Sequence, residues 1–379
     1  MSGPAVYRKH NSFAAMRHRG RPDALLDRLA RVRQTLDASG LTADRRAIVA
    51  AACDALLAPA EGQAFTLHSY VQDELARLPD DQLPRYLWYR YRYELFPQCK
   101  QLDAFPPCLQ IEPTSICNYR CVFCYQTDVT FTKAGSGHMG LMALPLFQRI
   151  VDQAQDQCEA LTLASRGEPL VHKQLEEMLA YVRGKFLALK LNTNASLLTE
   201  PLCHAILQAD LNTLVFSVDA VAEPGYSQLR VGGDLDRVVA NILRFRDIRA
   251  RHYSGARTIT RVSGVQVPGS SGIDEMERFW HDAVDQVALV TYNPWENTYE
   301  RPLNDVGAPC SDLWRRMFVW WNGVVNPCDV DYRSTLAVGD ATRTPLTEIW
   351  RGEAYERLRA EHLAARRSQV SPCNRCTLV

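Results

Sequence analysis

The sequence predicts an α/β fold, with a mostly parallel sheet that is open or partly closed into a barrel. Between about residues 107 and 293, short apolar runs alternate with longer amphipathic segments. Six apolar runs alternate with five amphipathic segments, and this order favours parallel strands joined by right-handed crossover helices. Polar residues follow several of the apolar runs, at the strand ends where sites in such folds form. Together these observations predict a partial (β/α)6 barrel with a site at the carboxyl ends of its strands.

The predicted strands are short apolar runs bounded by turn residues, as expected of strands that are buried on both faces. They cover residues 109–112, 160–164, 188–192, 213–217, 258–262 and 286–291. Between them, apolar residues recur at helical spacing. The predicted crossover helices cover residues 145–157, 173–183, 200–209, 235–251 and 274–283.

Residues 1–106 are predicted to form a helical region ahead of the barrel. Apolar residues recur at helical spacing in residues 22–38, 44–57 and 65–78, and a fourth helix is expected to begin at Pro84. Residues 85–93 read RYLWYRYRY, and such an aromatic and basic run is also found on nucleic-acid surfaces. The helical stripe of Leu87, Tyr91 and Leu95 favours packing onto the next domain instead.

The charge balance gives no support for a nucleic-acid or membrane partner. The 379 residues include 43 Lys and Arg and 43 Asp and Glu, so the formal net charge is zero. The N-terminus carries basic residues without the apolar stretch of a secretion signal, and no run of about 18 apolar residues occurs. We therefore expect a cytoplasmic protein with no nucleic-acid partner and no membrane partner.

The chain has twelve cysteines, and seven of them fall into two spaced sets. Without a secretion signal, closely spaced cysteines indicate metal binding more often than disulfides. The first set is Cys117, Cys121 and Cys124, and the second set is Cys310, Cys328, Cys373 and Cys376. The other five are expected to be buried small hydrophobic residues: Cys53, Cys99, Cys108, Cys158 and Cys203.

Three thiolates within eight residues suit an iron–sulfur cluster with one open iron. A structural zinc site normally closes with four ligands, so a zinc knuckle would need a distant His or Cys here. The spacing C-x3-C-x2-C, with Phe123 just before the last cysteine, resembles the signature of the radical S-adenosylmethionine (radical SAM) superfamily.

That resemblance implies a radical SAM barrel whose first loop holds a 4Fe–4S cluster. Its fourth iron would chelate S-adenosyl-L-methionine, and Phe123 would lie beside the cofactor. A one-electron donor such as flavodoxin or ferredoxin would reduce the cluster. Cleavage of the cofactor would then release a 5′-deoxyadenosyl radical.

Short motifs after the later strands resemble cofactor-binding elements of the same superfamily, in the same order. Gly167 and Glu168 lie in the sequence SRGEP, which resembles a Gly-Gly-Glu-Pro motif that meets the cofactor's amino group; an arginine replaces the first glycine. Asn194 follows the next strand, where the superfamily places a polar contact to the ribose. Ser217 begins a Ser-x-Asp element, and Arg230 follows it. The resemblance implies that these two residues meet the cofactor's carboxylate.

The second thiol set lies in an irregular tail that begins near residue 300, with a hairpin predicted at Gly323 and helix at residues 346–364. Four thiolates also close a zinc tetrahedron, so the spacing alone fits either metal group. The tail resembles the SPASM and twitch extensions of radical SAM enzymes, and in particular twitch-type dehydrogenases such as 2-deoxy-scyllo-inosamine dehydrogenase. One auxiliary 4Fe–4S cluster is implied. The expected domains are residues 1–106, 107–300 and 301–379.

Substrate residues are expected in residues 291–297, which follow the last predicted strand. Tyr292 and Glu296 are candidates for binding hydroxyl groups or for the base, Asn293 for binding, and Trp295 for stacking on a sugar. A packed joint between domains would also explain this segment. Three further candidates, each with a plain structural explanation as a turn cap or an exposed loop residue, are Asp329, Asp331 and His138.

The resemblance implies an enzyme that uses a 5′-deoxyadenosyl radical to take hydrogen from a polar small molecule such as a sugar, aminocyclitol or nucleotide-linked sugar. Dehydrogenation is expected, because a fully thiolate-ligated auxiliary cluster suits electron transfer. Two alternatives remain at this point. One is a radical enzyme that epimerises a sugar, or epimerises or cross-links a ribosomal peptide, and the other is an iron–sulfur sensor without turnover.

Overall fold

The computed structural model describes residues 12–18, 25–58 and 65–379. In these ranges no helix is both long enough and apolar enough to span a bilayer. The segment at residues 22–38 that the sequence predicts as helical begins outside the described residues, and its described part is helical from Leu25.

The described part of the N-terminal region contains one strand and four helices. The helices are α1 (Leu25–Thr35), α2 (Ala43–Leu57), α3 (Ser69–Ala76) and α4 (Leu83–Cys99). Strand β1 (Phe13–His18) departs from the predicted helical region, because it pairs antiparallel with a strand of the barrel about 270 residues later. Edge pairing of this kind depends on a distant partner and leaves little trace in the local sequence.

The central region contains the six predicted parallel strands and the five predicted crossover helices between them. Its parallel strands are β2 (Cys108–Ile111), β4 (Ala160–Leu163), β5 (Ala188–Thr193), β6 (Thr213–Ser217), β8 (Ile259–Gln266) and β9 (Gln286–Thr291). The crossover helices are α6 (Leu144–Ala154), α7 (Leu175–Val182), α8 (Glu200–Gln208), α10 (Leu235–His252) and α11 (Ile273–Trp280). Shorter elements lie in the loops: β3 (Arg120–Cys121), α5 (Val129–Thr132), α9 (Gly225–Leu229) and β7 (Arg230–Val231).

The C-terminal region continues the same sheet. Its elements are α12 (Asp312–Arg315), β10 (Arg316–Val319), β11 (Val324–Asn326), β12 (Gly339–Asp340), α13 (Leu346–Trp350) and α14 (Glu353–Leu363). Strand β10 pairs parallel to β2, and β11 returns antiparallel through the predicted hairpin. Gly323 turns that hairpin at φ +88°, where a Cβ would also meet Thr342 Cγ2 at 2.5 Å.

Ten strands of the described chain therefore form one sheet, in the order β1-β9-β8-β6-β5-β4-β2-β10-β11-β12. The strands pair in a line, so the barrel is partial and stays open. The crossover helices pack against the outer face and build the main hydrophobic core. Because β10 extends the barrel sheet beside β2, the second thiol set is held on the same framework as the first.

The N-terminal helices close the amino ends of the barrel strands. Cys108, Ala160 and Ala188, at the starts of β2, β4 and β5, belong to the same buried cluster as the aromatic residues of α4. Tyr86 and Trp88 in that run are buried, so packing explains residues 85–93. We call this closed end the barrel floor. Four of the five single cysteines are buried as predicted, whereas Cys99 is exposed at the end of α4.

Candidate active site

The first thiol set lies in the loop that follows β2. Cys121 is in β3, which pairs with β7, and the backbone N–H of Cys124 donates to the Cys121 carbonyl at 3.0 Å. The N–H of Tyr119 points at Cys117 Sγ at 3.4 Å. Arg230 Nη1 lies 3.7 Å from Cys121 Sγ. The short β3–β7 ladder thus holds the loop closed and brings one cation against it.

The three thiols are buried together and act on one another electrostatically. Burial raises the pKa of Cys117 to about 12, with Glu168 as the next largest cause. Burial also raises the pKa of Cys124, and the neighbouring Cys121 and Cys117 raise it further. Three thiolates so placed require a metal group that supplies positive charge. The donor set therefore fits a thiolate-bound iron cluster.

Among the described residues, no group of three or more His, Cys, Asp and Glu side chains is arranged to hold a single metal ion. The prediction that these thiols bind an iron–sulfur cluster therefore rests on the residue type and on their burial close to one another.

Gly167 and Glu168 lie where β4 ends. A Cβ on Gly167 would overlap the Thr114 carbonyl and come within 2.6 Å of the Ile116 carbonyl, so the turn can press directly against the start of the thiol loop. Glu168 is buried, and its carboxylate accepts hydrogen bonds from Thr193 Oγ1 and the Asn194 N–H, both at 2.7 Å. Glu168 therefore fixes the turn after β5, and burial raises the pKa of its carboxyl.

Asn194 lies in a closed set of amide and hydroxyl contacts. Its Nδ2 donates to Asn118 Oδ1 at 3.0 Å, and its Oδ1 accepts from Ser196 Oγ at 2.7 Å. Asn118 Nδ2 in turn donates to Ser196 Oγ at 2.9 Å. Because Asn118 lies between the first two cysteines, the strand end and the thiol loop are tied together.

Ser217 and Arg230 both line the central cavity. Arg230 Nε lies 2.5 Å from Asp219 Oδ2, a buried carboxylate whose Oδ1 also accepts from the Val265 N–H. The guanidinium carbon of Arg230 is 5.7 Å from the Phe123 ring centroid. The structure thus brings together the five positions that the sequence predicts near the cofactor, at the carboxyl ends of successive strands: Gly167, Glu168, Asn194, Ser217 and Arg230, with Phe123 beside them.

Arg166 lies in the SRGEP turn after β4, where it occupies the position of the first glycine of the Gly-Gly-Glu-Pro motif. It pairs with Glu112 and also lines the cavity. Its Nη1 donates to the Tyr332 carbonyl at 2.8 Å, and its guanidinium lies 4.2 Å from the Trp320 ring centroid. Tyr332 and Trp320 belong to the C-terminal region. Sequence patterns gave no indication of this link between the two thiol regions, because both partners are distant along the chain.

The second thiol set is also gathered in one place. Burial raises the pKa of Cys310 to about 11 and that of Cys373 to about 12, and among the further causes each thiol is influenced by Cys376. Burial raises the pKa of Cys328 as well, with Asp331 and then Cys373 as the next causes. Four thiols that are buried close to one another fit a second thiolate-bound group.

Arg367 holds the last turn of the chain in place beside these thiols, and sequence reasoning did not single it out. It is buried, and its Nη2 donates to the Cys376 carbonyl at 2.7 Å and its Nη1 to the Leu378 carbonyl at 2.5 Å. Its charge also lowers the pKa of Cys310 and Cys373 against the effect of burial. A cation beside four thiolates offsets part of their charge.

The predicted substrate segment forms one wall of the cavity. Tyr292, Asn293 and Trp295 line it, whereas Glu296 lies behind and accepts a short hydrogen bond from the Tyr292 hydroxyl. Burial, followed by that hydrogen bond, raises the pKa of Tyr292 to about 12. Trp295 stacks on Tyr125 with ring centroids 6.4 Å apart. The segment therefore serves both as cavity wall and as a joint against the thiol loop.

The three remaining candidates for substrate binding differ in whether they line the cavity. Asp329 lines the cavity, next to Cys328 in the sequence. Asp331 is fully buried and accepts from Tyr299 and from the backbone of Thr335, so it caps a turn. His138 lies outside the cavity lining, where it stacks on Phe131. Only the first of these three carries forward as a substrate candidate.

One cavity of about 500 Å³ joins these parts. It runs from the first thiol set and the strand ends, past Tyr292 and Asp329, down to the barrel floor. This volume falls in the range of small-molecule sites. The arrangement can hold a cofactor at the thiol end and a small polar molecule below it.

Two family models match the chain. The radical SAM superfamily model matches residues 111–260, and the SPASM model, described as an iron–sulfur cluster-binding domain, matches residues 310–377. The two matches cover the first and the second thiol set respectively.

Solved structures share the fold at low sequence identity. Streptococcus suis SuiB bound to precursor peptide SuiA is 14% identical, covers 93% of this chain and 82% of that chain, and gives a TM-score of 0.57. BtrN in complex with AdoMet and 2-DOIA is 14% identical, covers 73% of this chain and 94% of that chain, and gives a TM-score of 0.49.

Among curated proteins, the tungsten-containing aldehyde ferredoxin oxidoreductase cofactor-modifying protein of Pyrococcus furiosus is 30% identical over 115 residues. That alignment covers 30% of this chain and 31% of the relative. The chain thus spans about a third of the length of this curated relative.

Proposed function

This chain is a radical SAM enzyme with a C-terminal SPASM domain, and on that premise we propose that it oxidises a secondary alcohol of a polar small molecule to a ketone. The substrate class is a sugar, an aminocyclitol or a nucleotide-linked sugar. The observation that carries the proposal is one continuous cavity that reaches from the first thiol set to Asp329, which is next to Cys328 of the second set in the sequence.

The residues that would hold the cofactors follow from the site. Cys117, Cys121 and Cys124 would bind the radical-generating cluster, and the strand-end residues beside Arg230 would bind S-adenosyl-L-methionine. The second thiol set would bind one auxiliary cluster. When bound, the first cluster and the cofactor would supply a 5′-deoxyadenosyl radical that abstracts hydrogen, and the auxiliary cluster would supply a one-electron acceptor.

The chain itself supplies a path for the hydroxyl proton. Tyr292 faces the cavity, and its hydroxyl already donates to Glu296 behind it. Because the pKa of Tyr292 is raised to about 12, the phenol is protonated near neutral pH. The phenol oxygen can then accept the substrate's proton while its own proton passes to Glu296. This relay refines the expected role of the pair: the carboxylate is the base, and the phenol carries the proton to it.

A polar small molecule also agrees with the shape of the site. Helices α3 and α4 close the barrel floor, and Trp295 on Tyr125 closes one side. Part of the cavity of about 500 Å³ is needed for the cofactor, so the remaining space suits one small substrate.

A ribosomal peptide is the second candidate substrate. Its support is the shared fold with SuiB, whose crystal structure contains a precursor peptide and which covers most of this chain. At 14% identity that likeness concerns the fold. The two candidates differ in what must enter the cavity, and turnover with small polyols distinguishes them.

The test is a deuterium-transfer assay with the reconstituted enzyme under anaerobic conditions. The enzyme receives S-adenosyl-L-methionine, a reductant and a panel of sugars and cyclitols deuterated at their carbinol carbons. Dehydrogenation predicts deuterium in 5′-deoxyadenosine, stoichiometric use of the cofactor and a product that lacks two hydrogens. A product of unchanged mass would indicate epimerisation instead. Absence of 5′-deoxyadenosine under all conditions would favour a sensor without turnover.

A further inference from the structure

The barrel floor carries basic side chains that the proposed chemistry does not use. Lys190 of β5, Arg261 of β8 and Arg316 of β10 all line the lower part of the cavity. They come from three different strands and converge inside the barrel. We refer to these three residues as the basic floor.

In the described part of the chain, no hydrogen bond or ion pair reaches the ammonium group of Lys190. It lies in the middle of a central strand, paired with β4 on one side and β6 on the other, so its side chain can only face the barrel interior. Burial, then Arg261 and Arg316, lowers the pKa of Lys190 to about 8. The three cations therefore lie close enough to repel one another.

Arg261 is only 4% exposed, yet its donors are incompletely used. Its Nε donates to Gln286 Oε1 at 2.8 Å, and its guanidinium lies 5.3 Å from the Tyr70 ring centroid. Its Nη2 is buried and meets no hydrogen-bond acceptor among the residues described. An orphaned buried guanidinium N–H is costly unless a further acceptor enters the cavity.

Arg316 completes the group from the C-terminal region. Its Nη1 donates to Gln110 Oε1 at 3.4 Å and its Nη2 to the Tyr93 hydroxyl, both neutral partners. Its Nε is also buried without an acceptor in the described structure. Asp312 contributes negative charge in its vicinity.

The acidic groups nearby are already engaged. Glu94 pairs with Arg90, and Glu74 accepts from the Tyr86 hydroxyl. Asp73, which is not part of the cavity lining, lies against His18 and accepts from the Gln286 amide. These carboxylates moderate the field of the basic floor, but no ion pair joins any of them to Lys190 or Arg261 within the described ranges.

Burying cations without matched carboxylates is unfavourable, and protein interiors rarely retain such groups unless a ligand compensates them. From the convergence of Lys190, Arg261 and Arg316 on one cavity we propose that the basic floor binds an oxyanion of the substrate, a phosphate or a carboxylate group. This inference deepens the proposed function and rests on it for the identity of the bound molecule. The substrate would then be an anionic sugar or cyclitol derivative whose charged end lies at the floor and whose alcohol faces the thiol end.

The test measures anion binding without turnover. A ligand that binds only the folded state raises the melting temperature as its concentration rises. We therefore follow the melting temperature of the cluster-loaded enzyme in titrations with inorganic phosphate and with malonate, at ionic strength held constant with chloride. The wild-type enzyme should respond to one or both probes and not to chloride. Response to phosphate alone would assign a phosphoryl group, and response to malonate alone would assign a carboxylate.

Variants locate the site. Lys190→Met should weaken the apparent affinity for the responding probe at least about 10-fold, because a charge-assisted hydrogen bond is lost. Lys190→Arg should keep most of the affinity, and the exposed Lys173→Met should leave it unchanged. If Lys190→Met does not fold, Arg316→Gln gives the same comparison.

Two results would overturn the proposal. One is a wild-type enzyme whose melting temperature responds to neither probe beyond chloride, and the other is a Lys190→Met enzyme that binds the probe as the wild type does. Because 5′-deoxyadenosine formation is measured separately, failure of anion binding remains distinct from failure of the radical chemistry.

Discussion

Arg166 and Glu112 form a bidentate ion pair that is almost fully shielded from solvent. Arg166 Nε to Glu112 Oε2 and Arg166 Nη2 to Glu112 Oε1 are both 2.6 Å. Glu112 also accepts from the Trp321 N–H, and Arg166 donates to the Tyr332 carbonyl. One buried pair therefore joins the end of β2 and the turn after β4 to the domain that carries the second thiol set.

Glu112→Gln should destabilise the protein strongly, because it leaves the buried Arg166 charge without its partner. Loss of one partner of a buried pair costs about 3–5 kcal/mol. Chemical unfolding of the cluster-loaded protein measures the loss. Glu361→Gln, at the solvent-accessible pair with Arg366, is the matched control and should cost far less, because water screens and replaces that interaction. Equal losses in the two variants would show that the buried pair is not a structural joint.

The two thiol sets should separate two activities. Cys117→Ala removes a ligand of the radical-generating cluster and should abolish cleavage of S-adenosyl-L-methionine. Cys373→Ala should leave measurable cleavage but impair oxidation of the substrate. Chromatographic assay of 5′-deoxyadenosine and of the ketone reports both activities in one reaction.

The control for these variants is Cys203→Ala, because Cys203 is a buried cysteine that belongs to neither set. It should retain both products. If Cys373→Ala lost cleavage and oxidation in equal measure, the second thiol set would be structural. Iron and zinc contents of the wild type and the variants then identify the metal that each set binds.

The regular part of the fold was predictable because its determinants are local. The six central strands are short apolar runs between turn residues, and the structure confirms all six within a few residues. Strand β1 was not predicted, and strand β10 was expected only as one arm of the hairpin at Gly323, without its pairing to β2. Each joins the sheet by pairing with a strand that lies more than 200 residues away. Neither segment has a local pattern that predicts this pairing, because both are short and mix apolar with charged residues: Phe13–His18 and Arg316–Val319.

In the site, too, features set by local sequence could be predicted and features set by distant partners could not. The cysteines and the strand-end motifs could be recognised because their residue types recur at short fixed spacing. Arg367, Lys190 and the partner of Arg166 could not, because single charged residues carry no spacing. Their roles depend on burial and on which distant groups the fold places beside them.

Asp285 gives a pH test of how the N-terminal region is attached to the barrel. Burial raises the pKa of its carboxyl, but Arg249 and Arg77 outweigh that effect and hold it at about 2. Arg77 follows α3, Arg249 lies in α10, and the Thr260 N–H donates to the same carboxylate at 2.8 Å. The carboxylate thus fastens the N-terminal helices to two elements of the barrel.

A folded-state pKa below the unfolded value stabilises the ionised form, so this contribution is present above about pH 4 and is lost as the pH falls towards 2. Asp285→Asn should therefore cost about 2 kcal/mol at pH 7 and progressively less below pH 4. Urea unfolding across this range measures it. The exposed neighbour Asp282→Asn is the control, and a pH-independent loss at Asp285 would contradict the linkage.

Tyr292→Phe and Glu296→Gln test the proton relay. The phenylalanine variant keeps the ring that lines the cavity but lacks the hydroxyl that donates to Glu296. Either change should slow ketone formation by about 100-fold, the lower end of general acid–base contributions. Formation of 5′-deoxyadenosine without substrate should stay within a few-fold of the wild type, because neither residue lies among those that hold the cofactor.

The pH dependence of the protein's free energy of unfolding provides a second readout for Tyr292. Replacement of a purely structural residue of the cavity wall would not change it. Its pKa is raised from 10 to about 12, so the protonated phenol contributes stability that is complete below pH 10 and lost as the pH rises towards 12. Tyr292→Phe should remove this alkaline dependence, whereas Trp295→Phe should keep it. If ketone formation by Tyr292→Phe matched the wild type, the substrate's proton would leave by another route, and Asp329, which lines the cavity next to Cys328 in the sequence, would be the next carboxylate to test.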